Sequence, residues 1–162
     1  MTDTESAVVI PLNTKKKADT RKASEKKFGK PVMDLGFSIV PSLLMQAQER
    51  IGINPVQFNI IMHLFDFWWE ADRKPYPTKK RLAERMNMSE RQIQRQISEL
   101  ENAGLVKRIY RTRPGRGKTS NEYDMSGLVA KLKELESEFR EVKEENKKRR
   151  DNVTKPAHKR KA

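Results

Sequence analysis

Residues 81–106, RLAERMNMSERQIQRQISELENAGLV, constrain the fold more than any other part of the chain. Two amphipathic runs flank Asn87, and their apolar positions stay in phase with a helical period. In the second run Ile93, Ile97 and Leu100 fall on one stripe. Arg91, Arg95, Ser98 and Asn102 fall opposite, with Gln92 and Gln94 at the flanks. Ser89 and Gln92 have the S-x-x-Q spacing of a capping box, which satisfies two orphan backbone donors and defines where the helix starts. Asn87 suits the turn because asparagine tolerates a left-handed backbone. A helix that buries its Ile-Ile-Leu stripe must turn guanidinium and amide groups outward. Such groups pair bidentately with guanine and adenine edges in a major groove, each good pair contributing about 1–3 kcal/mol of discrimination. The bland alternative is a solvated basic face on a purely structural domain.

The neighbouring segments supply a core for these helices. A helix is expected after Val40, with Pro41 in its first turn, Leu43, Leu44 and Ala47 on its apolar face, and Gly52 ending it. Asn54-Pro55 opens the next helix as N-cap and first-turn proline, and the apolar pattern carries it to about Ala71. Phe58, Ile61, Met62, Phe65 and Trp69 form one stripe, and Ile60, Leu64, Phe67 and Ala71 another beside Trp68. Only Asn59, His63, Asp66 and Glu70 are polar, so this is the central helix, or it also packs on a second subunit. Thr78 caps a helix from about Lys79 to Met86, and the recognition-type helix runs from Ser89 to Ala103. Leu105–Thr112 and Thr119–Met125 read as a hairpin around the basic turn RPGRGK, and a long helix spans about Ser126 to Arg150.

Charge is distributed unevenly. The net charge is +13, of which residues 13–30 carry +6 and residues 147–162 carry +7. Residues 1–30 and 151–162 are accordingly expected to be unfolded basic tails, too polar to bury a core. Inside the folded part, residues 78–118 hold twelve Lys/Arg and four Glu, a net +8. That sign suits a polyanion, with simple solubility as the alternative. The absence of cysteine excludes a disulfide framework and a thiolate zinc site. No signal-peptide pattern or membrane-length apolar run is present, so the expected location is cytoplasmic, with no membrane partner.

The C-terminal helix carries a second pattern. Met125, Leu128, Leu132, Leu135, Phe139, Val142 and Asn146 are spaced 3, 4, 3, 4, 3, 4, which is a heptad seam. The flanking pairs Lys131–Glu136, Glu138–Lys143 and Glu145–Arg150 are opposite in sign across a parallel pair, and Asn146 suits a register-fixing core position. Leu128, Leu132, Leu135, Phe139, Val142 and Asn146 are therefore expected to form the dimer seam of a short parallel coiled coil. The competing reading packs the same stripe on the helix's own domain.

The string RLAERMNMSERQIQRQISELENAGLVKR resembles a winged helix-turn-helix: L-A-E-R-M in the first helix, a turn, S-E-R-x-I in the recognition helix, and L-E-N-A-G-L-V entering the wing. The resemblance covers about residues 37–132. With the later NEYDMSGLVAKL it is similar to small regulators or replication proteins of bacterial phages, plasmids and chromosomal islands. It implies a mostly α winged helix-turn-helix domain over 31–125, followed by the helix of 126–150. It implies base contacts from Arg91, Gln92, Gln94, Arg95 and Ser98, and phosphate contacts from Lys79, Lys80 and Ser89 near helix N-termini. Arg113, Arg116 and Lys118 of the wing would lie on the backbone or enter the minor groove. Two positions depart from the pattern. Asn87 stands where glycine is common, and Gln96 stands where a small residue packs, so it tilts the helix or touches DNA.

Other signals are weak. His63 shares its strip with Asn59, Asp66 and Glu70, a solvated face rather than a metal site. GRGKTS at 115–120 is too short for a phosphate-binding loop. Trp68 and Trp69 read as core rather than as base-stacking groups. No nucleophile, base and orienter set is present, and no cofactor or metal is implied, so an enzyme is not expected. The expected function is sequence-specific binding of double-stranded DNA by a homodimeric transcriptional regulator. Its rivals are a replication-initiation or partition protein that recruits further machinery, and an architectural or RNA-binding protein governed by its tails.

Overall fold

The computed structural model describes residues 20–113 and 117–153. Residues 1–19 and 154–162 lie outside them. Residues 20–37 belong to a small unit of their own. Where an unfolded tail was expected up to residue 30, two helices form, α1 (Thr20–Phe28) and α2 (Lys30–Asp34). Gly29 joins them at φ +86°, a conformation that glycine adopts without a Cβ clash. Pro31 sits in the first turn of α2, where its missing N–H costs nothing.

The second unit begins at Ser38. It opens with α3 (Ser42–Gln46) and α4 (Gln48–Ile51), which break at Ala47 where a single helix was expected. Gly52 ends α4 in the left-handed conformation. The central helix α5 (Pro55–Asp66) starts as predicted at Asn54-Pro55, with a full capping box between Asn54 and Gln57. It stops five residues short of Ala71. Phe67 closes it, and beyond that point the helical phase is lost. Trp68 still packs on the core, whereas Trp69 is 66% exposed and not part of a buried stripe.

Helices α6 (Lys79–Met86) and α7 (Glu90–Asn102) form the expected pair. Thr78 caps α6 through a bond from the Arg81 amide (3.1 Å), and Ser89 and Gln92 make the capping box of α7. Asn87 holds the left-handed turn between them at φ 50°. Strand β1 (Lys107–Ile109) pairs antiparallel with β4 (Glu122–Asp124), and β2 (Thr112–Arg113) with β3 (Gly117–Lys118). Between the two ladders two residues oppose three, so the hairpin is bulged. The last helix is α8 (Ser126–Val153).

The core lies among α3, α5, α6, α7, the base of the hairpin and the start of α8. Leu44, Ile60, Ile61, Leu64, Leu82, Ile93, Ile97, Leu100 and Leu128 are all solvent-inaccessible or nearly so. The architecture is therefore mostly α, a helix-turn-helix followed by a small antiparallel hairpin and a long C-terminal helix, as expected.

Helix α8 corrects the expected seam. Leu128, Leu132 and Leu135 are buried within the single chain, and Leu128 and Leu132 belong to the core cluster. Phe139 is half-buried beneath the Arg50 guanidinium, 5.9 Å from the ring centroid. Among the flanking charges, Glu138 pairs with Arg50 (2.6 Å), Lys131 with Glu134 (3.0 Å) and Glu136 with Arg140 within the chain. Apolar stripes take the nearest dry surface, and for most of this one that surface is α3 and the core. Of the six expected seam residues, Val142 and Asn146 are the two left exposed.

Candidate nucleic-acid interface

Helix α7 divides sharply by face. Ile93, Gln96, Ile97 and Leu100 are buried, while Arg91, Gln92, Gln94 and Arg95 are exposed. An open concavity along the outer face is lined by Lys79, Ser89, Glu90, Arg91, Gln92, Gln94, Arg95 and Ser98. The structure thus brings all five expected base-contact residues to one surface, with two of the three expected phosphate contacts. Lys80 lies outside the concavity and approaches Glu84 at 3.9 Å.

These side chains are not equally available. Arg91 has no partner among the described residues. Arg95 is 70% exposed and only grazes Glu99 at 3.9 Å. Both can present a guanidinium fork to guanine O6 and N7. Gln94 accepts a bond from Lys79 Nζ at 2.8 Å, so it offers its amide donors until Lys79 moves to a phosphate. Gln92 accepts from the Ser89 amide (2.9 Å) and hydroxyl (2.8 Å), so capping occupies its oxygen and leaves only its amide donors. Ser98 donates to the Gln94 carbonyl (3.0 Å) and accepts from Arg108 Nη2 (3.0 Å). So engaged, Ser98 can meet a base only by exchanging one of these bonds. The expected role of Gln96 is corrected. It is 8% exposed and accepts from Asn54 Nδ2 (3.0 Å), so it faces the core and not DNA.

Two polar networks hold this face in place. At the start of α5, Asn54 bonds Gln96 while Gln57 Nε2 donates to Glu99 (2.9 Å), fastening α5 to the inner edge of α7. At the end of α7, Glu101 receives the Arg108 amide (2.7 Å) and Nε (2.6 Å), joining the helix to β1. Burial alone pushes the Glu101 carboxyl upward, but the bonds and charge of Arg108 outweigh it and hold the pKa below the usual carboxylate range. The same pair raises the Arg108 pKa. Next to them Tyr123 is buried, and its hydroxyl is pushed up to about 12. The N-P-V-Q spacing of 54–57 was a legible capping box. Nothing in the sequence marks its second task of gripping Gln96 and Glu99.

Of the expected wing residues, Arg113 and Lys118 stand in β2 and β3, and Arg116 lies outside the described residues. Asp66 on the α5 polar strip is engaged by Arg85 (2.8 Å) and Ser38 (2.9 Å), and bonding to Arg85 first, then Ser38, lowers its pKa. No cluster of three metal-ligating side chains occurs among the described residues, and no helix there is long and apolar enough to cross a membrane.

Residues 52–106 match the family model described as a helix-turn-helix domain. The matched span runs from Gly52 through α5, α6 and α7 to Val106, the residue before β1, and it supports DNA as the partner. No curated protein matches the chain.

Proposed function

We propose that the chain binds double-stranded DNA sequence-specifically, with α7 in the major groove and the bulged hairpin on the flanking backbone or minor groove. The observation that carries this reading is the outer face of α7. Arg91 and Arg95 project from a helix whose opposite face is locked by the core, by Asn54 and by Arg108. Rigid placement matters because a bidentate guanidinium–guanine pair tolerates little misalignment. Charge agrees, since the +8 of residues 78–118 coincides with α6, α7 and the hairpin. The role we assign is regulation of transcription by occupancy of an operator.

The dimer in this proposal differs from a continuous coiled coil. With Leu128, Leu132 and Leu135 covered, Val142 is the one aliphatic residue of the expected seam left exposed, too little for the seam alone to hold a stable interface. Two protomers are expected to meet on an inverted-repeat site rather than in free solution. Selection from random duplexes at about 150 mM salt, where non-specific phosphate binding is weak, tests the reading. Enrichment of one motif is expected, lost in Arg91→Ala. Absence of any motif refutes base readout by α7. The position of the motif then separates the roles: at promoters for a regulator, in tandem at an origin for a replication protein.

A further inference from the structure

A second surface brings aromatic and cationic groups together, beside the recognition face. Phe67, Trp69, Arg73, Tyr76, Arg81 and Ser120 line an open cleft of about 380 Å³, within the range of small-molecule sites. Trp69 is 66% exposed and Tyr76 44%. The early end of α5 produces this. Trp68 stays on the core, its indole stacked 6.0 Å from Phe65, while Trp69 turns outward. The loop that follows is anchored. Pro75 is buried, its carbonyl accepts the Tyr123 amide at 2.9 Å, and Lys74 pairs with Asp124 at 3.2 Å. Tyr76, which follows, is therefore held beside the hairpin rather than displayed on a loose segment.

Cations surround them. The Arg81 guanidinium lies 4.7 Å from the Phe67 centroid. Arg73 lies 5.6 Å from that of Tyr76 and donates to its hydroxyl at 3.2 Å. Arg111 approaches the same ring at 5.3 Å while paired with Glu122. Neither Arg73 nor Arg81 has a carboxylate partner among the described residues, although Glu70 shares the lining. Exposed rings interleaved with unpaired guanidinium groups are the chemistry that holds single-stranded nucleic acid, because every base has a π-face and every nucleotide a phosphate.

We propose that this cleft takes an unpaired nucleotide of single-stranded DNA, its base stacked on Trp69 or Tyr76 and its phosphates against Arg73 and Arg81. The cleft adjoins the duplex-facing surface. Thr78 forms its edge, and the next residue, Lys79, reaches the α7 face through Gln94. A strand parted from a duplex on α7 crosses only the first turn of α6 to enter it. The inference rests on the cleft's own residues and stands whether or not α7 reads bases.

The test uses the full chain at about 200 mM salt, which weakens the pull of the basic segments on phosphate. A thymidine oligonucleotide of about 12 residues, thymidine monophosphate and a blunt-ended duplex are titrated separately, with affinity and tryptophan fluorescence both read. Trp69→Ala and Tyr76→Ala are each expected to weaken the oligonucleotide roughly fivefold to a hundredfold and to leave the duplex unaffected. Trp69→Phe is expected to keep the affinity but lose most of the quenching, because Trp68 is sheltered. Circular dichroism confirms that each variant is folded. Unchanged oligonucleotide affinity in both alanine variants overturns the proposal. Monophosphate binding as tight as the oligonucleotide also overturns it, in favour of a free-nucleotide site. Parallel loss of duplex affinity makes the cleft part of the duplex interface instead and is equally adverse. Oligonucleotide binding that persists while duplex binding fails supports the cleft and sinks the reading of α7.

Discussion

Glu101 joins the recognition helix to the hairpin, and removing its charge offers a quantitative test of how the site is held. Its carboxylate accepts the Arg108 amide (2.7 Å) and Nε (2.6 Å), and the guanidinium adds a contact through Nη2. The side chains are only 13% (Arg108) and 24% (Glu101) exposed, so water screens the pair weakly. Hydrogen bonds to a charged partner contribute about 1.5–3 kcal/mol each, and desolvation of both ions offsets part of that. Glu101→Gln keeps an oxygen for the Arg108 amide and loses the charge, so a loss of about 1–2 kcal/mol is expected. Glu101→Ala strands a largely buried guanidinium, and about 2–4 kcal/mol is expected. Urea unfolding of Glu101→Gln, Arg108→Met and the double variant gives the coupling, expected at about 1–3 kcal/mol near pH 7. Because the folded pKa of Glu101 lies below the ordinary 4.5, its stabilisation is present above that value. It is lost as pH falls through the folded pKa, so the gap between wild type and Glu101→Gln should narrow in acid and close once the pH is below that folded pKa. A coupling under about 0.5 kcal/mol, or a gap unchanged in acid, would refute this account of how the hairpin is fixed.

Gly127→Ala places a Cβ 1.9 Å from the Gly104 carbonyl oxygen, a backbone atom that cannot swing aside. Separation of α8 from the end of α7 is expected, with a loss of about 1–3 kcal/mol or more in denaturant titration. Asn87→Gly should be nearly neutral, whereas Asn87→Val should cost about 1–2 kcal/mol, because the branched side chain opposes the left-handed turn. Thermal melts of the two variants give the comparison, and equal midpoints would contradict it. Asn54→Ala removes an N-cap and orphans Gln96, and we expect a loss of about 1–3 kcal/mol by urea unfolding, with weaker duplex binding as α7 loosens. Sedimentation should show a monomer without DNA, and a stable free dimer abolished by Leu132→Lys in a chain that still folds would overturn the assignment of Leu128, Leu132 and Leu135 to the core.

Local chemistry was legible in the chain itself. The capping residues Asn54, Thr78 and Ser89, the left-handed Asn87, the stop at Gly104 and the Ile93-Ile97-Leu100 stripe all act within a few residues of sequence. Period and cap chemistry therefore determined the start of α5, the helices α6 and α7, and the outward face of Arg91 and Arg95. Decisions between distant segments were not legible. Whether the α8 stripe meets another chain or its own core depends on what α3 and the core present to it. Gln96 chose Asn54, and Ser98 chose Arg108, because packing brought those partners within reach. Trp68 and Trp69 are neighbours with the same side chain, and no sequence pattern assigns one to the core and the other to a cleft. That division was made by the end of α5 at Asp66 and by the hold of Tyr123 on Pro75, contacts that exist only once the hairpin has folded against the loop.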